Sequence, residues 1–322
     1  MTAQPDKGTL LLATHPDCLL HDPGPEHAER PQRLQAVLDG LRGDAELAAV
    51  TEKTEAREAS EAELALLHSP EYVRWVREKC ESGPSVLDRG DTPVIKESYR
   101  AALLAAGAVL HAVDSALTGR ASRAFCAVRP PGHHAENEAA MGFCIFNNVA
   151  VGARYAQSKG LERVAIVDFD VHHGNGTEYA FYRDGSVLYI SFHQYPHYPG
   201  TGGSLDLGEG PGRGLNINIP LPAGSVDEDY MTAMEATAGP ALEKFKADLL
   251  MISAGFDAHR ADPLSEMMMT ESGFGTLTRK IVEAAGASAQ GRVISVLEGG
   301  YALESLGASA KAHARALAGL QF

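Results

Sequence analysis

Short apolar runs rich in Val, Ile and Leu recur along the chain at Thr9–Ala13, Ala124–Val128, Val164–Phe169, Val187–Phe192, Leu215–Ile219, Leu249–Ser253 and Val293–Leu297. Most lack the two-residue alternation of a half-exposed strand, so they predict strands buried on both faces, as in a parallel sheet. Between them, apolar positions at helical spacing predict helices near Arg30–Leu41, Glu61–Leu67, Pro70–Lys79, Ser98–Thr118, Asn147–Lys159, Asp227–Phe245 and Ser272–Ala285. Alternating strands and helices imply an α/β fold with helices on both faces of the sheet. No internal repeat and no Pro/Ser-rich linker divides the chain, so one domain over residues 1–322 is expected.

In open α/β sheets, ligands bind beyond the carboxyl ends of the strands. The segments that follow the predicted strands are RPPGHHAE, DFDVHHGNG, HQYPHYPGTGG, AGFDAHRADP and EGGY. His, Asp, Gly and Tyr therefore collect at five strand ends. Asp168, Asp170 and His172 alternate at the end of one strand, which puts Asp170 and His172 on one side, within reach of one ion. Asp257, from another strand end, supplies a third ligand. Two carboxylates and one imidazole with open positions describe a catalytic divalent site rather than a closed structural one.

His133 and His134, adjacent in a Gly/Pro turn that faces this site, read as an acid/base pair. Each needs a partner to fix its tautomer; Asp168 is placed for one and Asn175 for the other. Tyr301 follows Glu298-Gly299-Gly300, where a sharp turn can bring its phenol back towards the metal to bind a developing oxyanion.

Composition narrows the reading. Lys plus Arg number 28 against 42 Asp plus Glu, a net charge of −14. Such a surface repels phosphate backbones and favours cationic partners, so no direct nucleic-acid binding is expected. Cys18, Cys80, Cys126 and Cys144 form no C-x-x-C pair, which suits a reducing cytoplasm. The amino-terminal apolar run is too short for a signal peptide. The stretch Ala101–Val113 falls short of the roughly 18 apolar residues of a membrane span, so no membrane partner is expected. GEGPGRG at 208–214 precedes a strand instead of following one, so it reads as a flexible loop rather than a dinucleotide fingerprint. No G-x-S-x-G or H-E-x-x-H appears. His259 is expected at the rim or in solvent, His173 as a structural residue and Trp75 in the core.

Together RPPGHHAE, GFCIFNN, VDFDVHHGNGT, HYPGTG, SAGFDAHRADP and VLEGGY resemble the histone deacetylase family, in particular its class II branch and bacterial deacetylase-like amidohydrolases. The resemblance runs in order from His15 to Tyr301. It implies an arginase/deacetylase-type fold with a mostly parallel sheet of about eight strands, and a Zn²⁺ ion that hydrolyses N-acyl groups from amines. By the same resemblance, Asp170, His172 and Asp257 are the zinc ligands, and His134 is the general base and acid. His133, paired with Asp168, stabilises charge, and Asn175 marks the class II pattern. Gly142 accepts the substrate amide N–H, Phe143 and Tyr198 wall an acyl-lysine tunnel, and Arg33 lies near its floor. A structural K⁺ is implied at Asp168, Asp170, Ser191 and the carbonyls of His172 and Phe192. Asp88 and Asp91 are candidates for gripping the substrate backbone. Leu264 stands where a polyamine-deacetylating branch carries Glu, so an acylated lysine peptide is the first substrate expected and a small acylated amine the second. Oligomeric state is left open.

Overall fold

The computed structural model describes residues 9–286 and 288–322. Residues 1–8 of the amino-terminal segment read for a signal peptide lie outside the described residues. The strands are β1 (Leu10–Thr14), β2 (Thr51–Glu55), β3 (Ser85–Val86), β4 (Pro93–Val94), β5 (Arg123–Cys126), β6 (Val164–Asp168), β7 (Val187–Gln194), β8 (Asn216–Leu221), β9 (Leu249–Ala254) and β10 (Val293–Leu297). Eight of them form one sheet in the order β2-β1-β5-β10-β9-β6-β7-β8, and every pairing in it is parallel. β3 and β4 form a separate antiparallel hairpin.

The unbroken apolar runs become the middle of the sheet: every residue of β6, β7, β9 and β10 is buried. β2, with the sequence TEKTE, contains no apolar residue and was not predicted. It is an edge strand held by its backbone ladder to β1, from Leu10↔Thr51 to Thr14↔Glu55. A charged edge is a usual protection against further strand pairing.

Helices cover both faces. The predicted segments hold, with ends moved by a few residues, and the helix Leu303–Leu317 is added, packed against Gln32–Arg42 and Glu271–Ala285. Its sequence, LESLGASAKAHARAL, is dominated by small residues, with few large apolar side chains to mark its buried face. The expected helix Asp227–Phe245 is interrupted by a π turn at Met234–Ala238. Pro240 just beyond it has no N–H for the helical ladder, and a wider turn accommodates that loss. The helix Lys96–Thr118 spans 23 residues and is apolar and long enough to cross a membrane by composition, more so than Ala101–Val113 suggested, but most of it is buried in the core. All four cysteines are buried and unpaired.

Candidate active site

β5, β10, β9, β6 and β7 are consecutive in the sheet, so their carboxyl ends bring the five polar segments together. β6 stops at Asp168, and Asp170 and His172 lie in the turn just beyond it, not within the strand as expected. Asp257 lies beyond β9. One ligand atom from each of Asp170, His172 and Asp257 falls within 4.8 Å of the other two. His172 Nδ1 is 3.1 Å from Asp170 Oδ1 and 3.2 Å from Asp257 Oδ2.

Asp257 Oδ1 accepts the Val171 N–H at 2.9 Å, but Asp257 Oδ2 is fully buried and receives no well-aligned hydrogen bond. Burial and the adjacent Asp170 charge push the Asp257 carboxyl up. Burial opposes ionisation of Asp170 as well, yet the charges of His133 and His172 hold it well below the usual carboxylate range. Against burial, the two carboxylates hold a proton on His172, raised to about 10. A divalent cation here would satisfy Asp257 Oδ2 and displace that proton. The backbone at Gly299 leaves room for the carboxylates: a Cβ there would lie 2.1 Å from Asp257 Oδ2 and 2.5 Å from Asp170 Oδ2. The residues therefore fit one divalent ion.

The two histidines have the partners expected from sequence. His133 Nδ1 lies 3.0 Å from Asp168 Oδ2, and His134 Nδ1 lies 2.8 Å from Asn175 Oδ1. Burial would lower His133, but the charges of Asp170 and Asp168 prevail and push it up to about 10. Burial holds His134 well below the ordinary imidazole value, and the charges of His133 and His172 add to the effect. Glu298, read in the sequence only as the residue before two glycines, is a further part of the site. Its Oε2 accepts the N–H groups of Gly132 (2.7 Å) and His133 (3.2 Å), and its Oε1 accepts the Ser253 hydroxyl (3.1 Å). It ties three strand ends together beneath the histidines.

A cavity of about 280 Å³ opens above this cluster, lined by Asp91, His134, Gly142, Phe143, His172, His197, Tyr198, Leu264 and Tyr301. All five expected substrate-binding positions are present. Gly142 (φ 54°) and Phe143 (φ 71°) both adopt left-handed backbone. A Cβ on Gly142 would lie 2.6 Å from His134 Cδ2 and 3.0 Å from Tyr198 Oη, so only glycine fits between them. The Tyr301 ring lies edge-on to Phe143, centroids 5.9 Å apart, with the Arg33 guanidinium 4.7 Å from its own centroid. Arg33 in turn donates to the carbonyls of Gly300 (2.5 Å) and Glu298 (2.5 Å) and to Glu29 Oε1 (2.9 Å). Glu29 also receives Arg129, so a fully buried ionic cluster supports the turn that carries Tyr301.

Some expectations change. Asp88 does not line the cavity; its Oδ1 accepts the N–H groups of Gly90, Asp91 and Thr92, which organises the loop that presents Asp91. His259 is buried rather than at the rim, accepting the Ala261 N–H at 3.1 Å with Glu271 at 3.4 Å. His197 was not singled out in the sequence. It stacks on His172 with centroids 5.1 Å apart, and its Nε2 lies 3.0 Å from the Leu264 carbonyl. Ser191 and Phe192 lie in β7, with Ser191 in register with Asp168; the Ser191 hydroxyl lies 2.9 Å from His193 Nδ1.

Comparison with known proteins shows the family and the fold. Residues 27–317 match the family model for the histone deacetylase domain. The chain is 42% identical to the human polyamine deacetylase HDAC10, over 94% of this chain and 45% of that protein. It is 40% identical to a histone deacetylase-like amidohydrolase of Pseudomonas aeruginosa, over 85% of this chain and 72% of that one. The crystal structure of the HDA15 HD domain superposes with a TM-score of 0.92 at 38% identity, covering 98% of this chain and 89% of that one.

Proposed function

The chain belongs to the histone deacetylase family of deacetylases and amidohydrolases, and on that premise we propose that it hydrolyses N-acyl amides of lysine side chains with one zinc ion at Asp170, His172 and Asp257. The observation that carries the reading is Asp257 Oδ2, a buried carboxylate oxygen with no well-aligned hydrogen bond, clustered with Asp170 and with His172, which lines the cavity shared by His134 and Tyr301.

When bound, zinc supplies Lewis acidity to the acyl carbonyl and to water. His134, neutral and with Nδ1 committed to Asn175, presents Nε2 to take a proton from the attacking water and return it to the leaving nitrogen. His133 remains protonated beside Asp168 and offsets the negative charge that develops. Tyr301 donates its hydroxyl to the oxyanion. Gly142 accepts the substrate amide N–H, and Phe143 and Tyr198 flank the acyl-lysine stem. Asp91 at the mouth receives the peptide backbone. A structural K⁺ held by Asp168, Asp170, Ser191 and the carbonyls of His172 and Phe192 completes the proposal, supported by the Asp168↔Ser191 register. The four unpaired, buried cysteines favour a cytoplasmic location.

A second substrate class, acetylated polyamines, is favoured by the identity with human HDAC10. Leu264 favours the peptide, because it offers no carboxylate to a second ammonium group. The test is turnover of a fluorogenic acetyl-lysine amide by zinc-loaded protein, abolished by chelation and restored by zinc. Binding of the amide without turnover would leave an acetyl-lysine-binding module instead.

A further inference from the structure

We propose that Glu136 is a positioning residue that sets the tautomer of His134 through Asn175. The inference rests on the role of His134 given above. Asn175 Oδ1 lies 2.8 Å from His134 Nδ1, and Asn175 Nδ2 donates to Glu136 Oε1 at 3.1 Å. An ionised carboxylate only accepts hydrogen bonds, so Glu136 requires the NH₂ end of the Asn175 amide to face it. The amide oxygen then faces His134, and Nδ1 must carry the ring proton. Nε2 is left with the free lone pair that a general base needs.

The other acceptors around Asn175 Nδ2, the His134 carbonyl and Met141 Sδ, both lie at 3.5 Å. They favour the same orientation, but neither carries a charge, and charge-assisted bonds are roughly twice as strong. With the amide reversed, an N–H would point at Nδ1, the ring proton would move to Nε2, and His134 could not accept a proton from water. Glu136 does not touch the substrate cavity. It lines a separate groove with Asn175, Glu178 and Thr201, so its effect on the reaction must pass through Asn175.

The test uses zinc-loaded full-length protein in three variants. Glu136→Lys replaces an acceptor with a donor and should reverse the amide, lowering kcat on the order of 10²-fold, as loss of a general base does. KM and metal content should change little. Glu136→Gln, whose Oε1 still accepts, should keep most of kcat. Glu136→Lys combined with Asn175→Asp restores an acceptor towards both neighbours and should recover at least 10-fold of the loss. The direct readout is the ¹⁵N spectrum of labelled His134, which should show Nδ1–H in the parent protein and Nε2–H in Glu136→Lys. An Nδ1–H signal in Glu136→Lys overturns the proposal, as does a loss of kcat that Asn175→Asp fails to recover. The tautomer is read without turnover, so an inactive parent protein would count against the proposed function while the spectra still decided the role of Glu136.

Discussion

The imidazoles of His133 and His134 lie 4.0 Å apart, centroid to centroid, yet one hydrogen-bonds a carboxylate and the other an amide. Two cations at that separation in a buried site would repel strongly. The pair therefore carries a single positive charge, on His133, where Asp170 and Asp168 raise the imidazole to about 10, while His134 stays neutral with its one ring proton on Nδ1. Adjacent residues of one type thus take opposite parts because their partners differ.

His134→Ala should lower kcat by about 10²–10⁴-fold, the usual contribution of an acid/base group. His133→Ala should lower it less, since it removes a charge and not the proton carrier. Both variants should keep one metal per chain. Steady-state rates at equal metal content check this, and a much larger loss in His133→Ala would reverse the two roles.

Asp257→Ala should lose both metal and activity. It removes the carboxylate whose Oδ2 has no well-aligned hydrogen bond and leaves two ligands, too few for an open catalytic site. Elemental analysis should find about one divalent ion per parent chain and next to none in the variant. Two ions per parent chain at this site would contradict the reading.

Gly142→Ala should retain metal but lose kcat by on the order of 10²-fold, the cost of displacing a reacting group by about 1 Å. The new methyl would press on His134 Cδ2, and the left-handed backbone at this position resists any side chain. Rates and metal content measured on one preparation separate this outcome from misfolding.

Leu264→Glu should shift kcat/KM towards N-acetylspermidine and away from an acetyl-lysine peptide. The parent protein should prefer the peptide, because Leu264 gives a second ammonium no fixed partner. A parent preference for the polyamine would instead support the small-amine reading, with Asp91 at the cavity as the charge partner.

The fold should lose stability in mild acid. His313 is buried between the hydroxyls of Thr278 and Ser295, and burial lowers it to about 3; burial lowers His68 to about 4. These histidines are neutral when folded, and the unfolded imidazole titrates near 6.5. Their contribution is thus complete above pH 6.5 and is lost as pH falls towards their folded values. A tenfold change in proton affinity corresponds to about 1.4 kcal/mol, so His313 alone represents several kcal/mol at full effect. Urea unfolding at pH 7.5 and pH 5 should show the parent protein losing more stability than His313→Gln; equal losses would count against it.

What could be read from the sequence depended on how directly local chemistry encodes each feature. VAIVD, LLMISA and VISVL had to be buried strands because nothing in them tolerates water on either face. Asp170, His172, Asp257 and the two histidines stand out because such residues rarely end up together beyond strand ends. By contrast, TEKTE is a strand only because β1 offers it a ladder, and no side-chain pattern records that. His197 belongs to the irregular loop after β7, whose path follows from contacts with the Leu264 segment. Glu136 could have been found by asking what holds Asn175, a question that arises only once Asn175 is seen to have two ends.

Among the described residues, the strand that comes last in chain order, β10, lies in the middle of the sheet between β5 and β9. During synthesis, β2-β1-β5 and β9-β6-β7-β8 are therefore two half-sheets with open inner edges until residues 293–297 leave the ribosome. Arg33, made more than 260 residues earlier, waits for the carbonyls of Glu298 and Gly300. Pairings so distant in sequence form slowly, and exposed strand edges invite association with other chains. A nascent chain stalled before β10 thus has neither a closed sheet nor Tyr301, so catalytic competence waits until residues 293–301 have been added.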